Sequence, residues 1–79
     1  MVTSAMVTTR LDALLALGRH AEVEAEAEPL STSHSVLRPF ALRALALVRE
    51  DEALLQEALE RFERVGMGWH AEETRKLAA

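Results

Sequence analysis

Apolar side chains recur at three- and four-residue intervals along most of this 79-residue chain, the pattern of helices that each bury one face. Val7, Leu11, Leu14 and Leu15 share one such stripe. They predict a first helix from about Ser4 to Leu17, with Thr3 or Ser4 as its cap and Gly18 at its left-handed end. The next segment, Glu22 to Glu28, alternates acidic and apolar residues with the period of a strand. Glu and Ala are poor strand formers, so propensity favours a helix from about His20 to Glu28, with Val23, Ala27 and Leu30 on one face and Pro29 as its end. A third helix is expected from Ser35 or Arg38 to about Arg49, with Pro39 tolerated because it falls in the first turn. A fourth, about Asp51 to Val65, carries the stripe Leu55, Ala58, Leu59 and Phe62, with Asp51 and Gly66 suited to cap its two ends. Its polar side holds the pairs Glu57–Arg61 and Glu60–Arg64, worth about 0.3–0.5 kcal/mol each. A short, mostly polar helix from about Trp69 to Leu77, carrying the pair Glu72–Lys76, caps the end. The fold class read from this pattern is all-α, with five short antiparallel helices in a single domain.

The pattern also repeats. A shift of 32 residues sets Leu15 on Leu47, Ala21 on Ala53, Val23 on Leu55, Ala27 on Leu59 and Leu30 on Phe62. Two helix–turn–helix units and an additional helix account for the length. The turn Leu17-Gly18-Arg19-His20-Ala21-Glu22-Val23 resembles the turn between the paired helices of a tetratricopeptide repeat. His20 stands where the family has an aromatic residue and Val23 where it has a small one, and the second unit, Arg49-Glu50-Asp51-Glu52-Ala53, lacks the Gly. The segment from Ala58 to Ala71, with Phe62, a Gly turn and then Trp69, is similar to the repeat ends of large bacterial LuxR-type regulators. The resemblance covers about residues 10–78. It implies an α-solenoid piece, free-standing or one end of a larger protein, that binds other protein surfaces and has no catalytic residue.

Composition narrows the function classes. A formal charge of −4 disfavours nucleic acid, which calls for a basic face. Aromatic residues are 4% of the chain and cysteine is absent, which argues against base-stacking platforms and thiolate metal sites. No apolar run is long enough for a membrane span and the first residues lack the basic start of a secretory signal, so the expected compartment is cytoplasmic. Eight arginines against one lysine, in an Ala- and Leu-rich chain, suggest a GC-rich bacterial source.

Candidate chemistry is sparse. His20, His34 and His70 have none of the i,i+4 spacing that sets two metal ligands on one helical face, so no metal or cofactor is expected. Ser33-His34-Ser35 lacks the setting of an activated nucleophile, and Gly66-Met67-Gly68 lacks the remainder of a phosphate loop. Glu22, Glu24, Glu26 and Glu28 read first as a solvated helix face, and otherwise as a patch for a basic partner or a weak divalent-cation site. Trp69 reads first as a residue closing the core, and otherwise as an anchor for a partner. The third helix carries apolar residues on nearly every side: Leu37, Ala41, Ala44 and Val48 on one stripe, Phe40 and Leu47 on a second, Leu42 and Leu45 on a third. Five short helices are not expected to cover all three. Leu42 and Leu45, rimmed by Arg38 and Arg49, are therefore the expected interaction site, for a protein partner or for a second copy in a homodimer. The function read from the sequence is a non-enzymatic protein–protein interaction module. The alternative is a small helical regulator of a DNA-binding or ATPase partner, acting through its acidic second helix.

Overall fold

The third helix holds the fold together. The computed structural model describes residues 4–32 and 36–78, with helices α1 (Ser4–Ala16), α2 (His20–Ser31), α3 (Arg38–Arg49), α4 (Glu52–Arg64) and α5 (Gly68–Ala78). The chain is all-α with five helices, and there is no strand among the described residues. The expected cap at Thr3 and the string Ser33-His34-Ser35 lie outside the described residues.

α3 packs against α1, α2 and α4, and α5 packs against α4. The burial divides into two clusters that meet on α3. Leu11 and Leu14 of α1, Val23 and Ala27 of α2, and Ala41, Ala44 and Leu45 of α3 form one. Leu42 of α3, Ala58, Leu59 and Phe62 of α4, and Ala71 of α5 form the other. Leu42 and Leu45 are 3% and 1% exposed. This corrects the expectation that these two leucines face a partner. Their stripes are covered within the chain: Leu45 packs with α1 and α2, and Leu42 with α4 and α5. The short helices suffice because their contact positions are often alanine, which lets the helices approach closely.

Three turns share one design. Gly18 (φ 72°), Glu50 (φ 52°) and Gly66 (φ 79°) all adopt the left-handed conformation. Each is followed by an N–H that reaches back five residues: Arg19 to the Leu14 carbonyl at 3.0 Å, Asp51 to Ala46 at 3.0 Å and Met67 to Phe62 at 2.9 Å. These bonds satisfy carbonyls that a helix end leaves orphaned. The 32-residue shift sets Gly18 on Glu50, so both units turn at the same place, although the second places a side chain where the backbone disfavours one. After Glu50, the Asp51 carboxylate caps α4 by accepting from Ala53 N at 2.9 Å and Leu54 N at 3.2 Å.

The acidic run is helical, as propensity favours, but Pro29 does not end it: α2 continues to Ser31. A proline inside a helix forfeits one N–H bond, yet its fixed φ is compatible with the helix and its ring lies on the exposed side. The helix ends where Ser31 Oγ donates to the Glu28 carbonyl at 2.7 Å and Thr32 Oγ1 to that of Pro29 at 3.3 Å. On α4 the Glu57–Arg61 pair forms at 3.4 Å. On α5 the ion pairs run i to i+3, Glu72–Arg75 at 2.6 Å and Glu73–Lys76 at 3.7 Å, in place of the expected Glu72–Lys76.

Candidate interaction cleft

The four glutamates of α2 are partnered inside the molecule. Glu22 faces Arg19 at the start of its own helix, Glu26 faces Arg10 of α1, and Glu24 and Glu28 face Arg49 of α3. Arg19 meets Glu22 at 2.9 Å and Arg10 meets Glu26 at 2.6 Å. Arg49 bridges the like-charged pair, with Nε 2.7 Å from Glu24 Oε1 and Nη2 2.6 Å from Glu28 Oε2. Its hydrogen bonds hold the Glu24 carboxyl below the usual carboxylate range, and donating to both glutamates raises Arg49 above the ordinary guanidinium value. Arg49 therefore staples α3 to α2. Arg38, at the other end of α3, approaches Glu57 at 4.0 Å, and its buried Nε has no partner among the described residues. The four residues expected to form an interaction face are thus divided: Leu42 and Leu45 lie in the core, and Arg38 and Arg49 face acidic groups of this chain.

A different group converges where α1, α3 and α5 approach one another. A cleft of about 310 Å³ is lined by Thr8 and Asp12 from α1, Val36, Phe40 and Arg43 from α3 and the turn before it, and Met67 and His70 at the start of α5. Phe40 and Phe62 meet edge to face, their ring centroids 4.9 Å apart at 81°. His70 stacks on Phe62 at 5.4 Å and meets Phe40 edge-on at 4.7 Å. The Arg43 guanidinium lies 5.5 Å from the Phe40 centroid and 5.2 Å from that of Phe62, within cation–π range. Trp69, expected in the core, is 68% exposed and stands with its edge to His70 at 4.9 Å. The turn before α5 sends His70 inward, which leaves its neighbour at the rim. Val36, 55% exposed, adds apolar surface at the same cleft.

The electrostatics here differ from the rest of the surface. Burial pushes Arg43 below its ordinary value, and the charges of Asp12 and Glu73 offset this only in part. Burial and the neighbouring Arg43 push His70 down as well, and its buried Nδ1 lacks a hydrogen-bond partner among the described residues. The cleft thus holds a partly desolvated cation, an imidazole whose charged form is disfavoured, and an apolar rim. In the sequence, Trp69 reads first as core and otherwise as an anchor for a partner, His70 lacks metal-site spacing, and Arg43 stands out in nothing but its charge. The available signal was Arg43 at i+3 from Phe40, in a stretch with one other charged residue.

Among the described residues no three His, Asp or Glu side chains converge to hold a metal ion, and none of the helices is long and apolar enough to cross a membrane. No family model, curated protein or solved structure matches the chain.

Proposed function

We propose that the chain is a non-enzymatic protein-interaction module of the α-solenoid type, two tetratricopeptide-like helix–turn–helix units capped by α5. Its binding surface on this reading is the cleft between α1, α3 and α5. The repeat reading is supported by the shared left-handed turn at Gly18 and Glu50 and by helix starts at residues 4 and 38 for α1 and α3, and 20 and 52 for α2 and α4. The observation that carries the interaction reading is a cleft that holds the exposed Val36 beside the partly buried Arg43, with the exposed Trp69 against His70 of its lining. Tryptophan and arginine are residue types that dominate protein–protein binding energy, and here one lies beside the cleft and the other lines it.

Self-pairing through Leu42 and Leu45 loses its basis with their burial, so the reading commits to a segment of another protein. A bacterial, cytoplasmic setting belongs to the same proposal and rests on composition. Selection of a random peptide-display library on the immobilised full chain tests it. Binders are expected to shift the emission of Trp69, the one tryptophan, and to lose at least tenfold in affinity on Val36→Asp. Binders indifferent to both would refute the cleft as the site.

A further inference from the structure

We propose that the partner segment presents an acidic side chain, Asp or Glu, between apolar neighbours, and that Arg43 is the group that receives it. The inference rests on reading the cleft as a protein-binding site. Arg10, Arg19, Arg38, Arg49, Arg61 and Arg75 each meet a carboxylate of this chain within 4.0 Å. Among the described residues Arg43 and Arg64 meet none within that distance; Arg64 is exposed to solvent, whereas Arg43 is partly buried and lines the cleft. Its contacts are the faces of Phe40 and Phe62. Such contacts orient a guanidinium without using its N–H donors, which stay available for a planar acceptor. A carboxylate is the acceptor that matches this fork in both charge and shape.

Two acidic groups bear on the site. Asp12 on α1 and Glu73 on α5 act on Arg43 through space. Asp12 is exposed and Glu73 is engaged by Lys76 at 3.7 Å, so solvent and the lysine weaken their fields. A carboxylate in direct contact with a partly desolvated guanidinium outweighs such screened repulsion. The apolar neighbours follow from the rest of the lining: Val36, Phe40 and Met67 offer no other charge, and Trp69 stands at the rim.

The test uses three pools of capped pentapeptides with a central Glu, Gln or Lys flanked by Leu, Phe or Val. Each is titrated into the full ¹⁵N-labelled chain, with the Arg43 Nε–H, the Trp69 indole N–H and the cleft amides as reporters. The Glu pool is expected to bind at least tenfold more tightly than the Gln pool. Arg43→Gln should abolish that preference, Arg43→Lys should keep part of it, and Asp12→Asn should increase it. The Lys variant and Asp12→Asn carry the test should the Gln variant not fold. Equal binding of the Glu and Gln pools at the cleft, or tighter binding of the Lys pool, overturns the acidic partner while leaving the binding site standing. Failure of all three pools to perturb the cleft overturns both.

Discussion

Phe62 is the side chain on which the second half of the fold depends most. It is fully buried, with 0% exposure, and its ring meets Phe40 at 4.9 Å, His70 at 5.4 Å and the Arg43 guanidinium at 5.2 Å. Truncating a core phenylalanine to alanine costs about 3–5 kcal/mol in transfer and cavity terms. A domain of this size, at about 0.05–0.15 kcal/mol per residue, has about 4–12 kcal/mol in total. Phe62→Ala therefore removes a large share of the stability, and near the lower bound it unfolds the chain. Phe62→Leu keeps most of the volume and loses the ring contacts, with an expected cost of about 1–2 kcal/mol. Trp69→Ala serves as the contrast, since an exposed side chain away from core features changes stability by about 0.5 kcal/mol or less. Urea and thermal unfolding followed by circular dichroism measure all three, each kcal/mol shifting Tm by about 4–8 °C. A Tm loss below about 4 °C for Phe62→Ala, or a larger loss for Trp69→Ala than for Phe62→Ala, would show that the aromatic cluster does not close the core in this way.

Leu42→Glu buries a carboxylate at a site 3% exposed and is expected to unfold the chain instead of dissociating an assembly; sedimentation of a folded variant with altered mass would refute this. Glu50→Gly relieves the left-handed strain at φ 52° and should raise stability by about 1 kcal/mol, read as a higher urea midpoint. Arg49→Gln removes the staple between α2 and α3 and leaves Glu24 and Glu28 facing each other; its Tm deficit should be largest at low ionic strength and shrink in high salt. His70 sets a pH dependence. Its folded value lies below the ordinary 6.5, so the unfolded chain binds the proton more readily. The stability it contributes is complete above about pH 6.5 and is lost as pH falls toward the lower folded value. His70→Phe should flatten the pH–stability curve in that window.

The helices were legible because Ala, Leu, Glu and Arg fix helix by propensity and the apolar stripes fix the buried faces. Leu11, Leu14, Val23, Ala27, Leu55, Ala58, Leu59 and Phe62 were all read as inward and are all buried. The caps at Asp51, Gly18 and Gly66 were legible for the same local reason. What depends on which helix lies beside which was not legible. The apolar girth of α3 is the same whether neighbours or a partner cover it, and only the packing of the neighbouring helices decides the matter for Leu42 and Leu45. Pro29 shows a smaller limit, since proline weakens a helix locally while Leu30 and Ser31 pack favourably enough to extend it. The cleft was not legible because its parts, Asp12, Arg43 and His70, are far apart along the chain and unremarkable one by one.

The interaction reading is tested most directly by mapping a selected binder onto the chain by amide and side-chain chemical-shift changes. The expected result is a contiguous set comprising Thr8, Asp12, Val36, Phe40, Arg43, Met67, Trp69 and His70, with the core around Val23 and Ala27 unmoved. Shifts concentrated on the acidic face of α2, at Glu22, Glu24, Glu26 and Glu28, with the cleft silent, would contradict it.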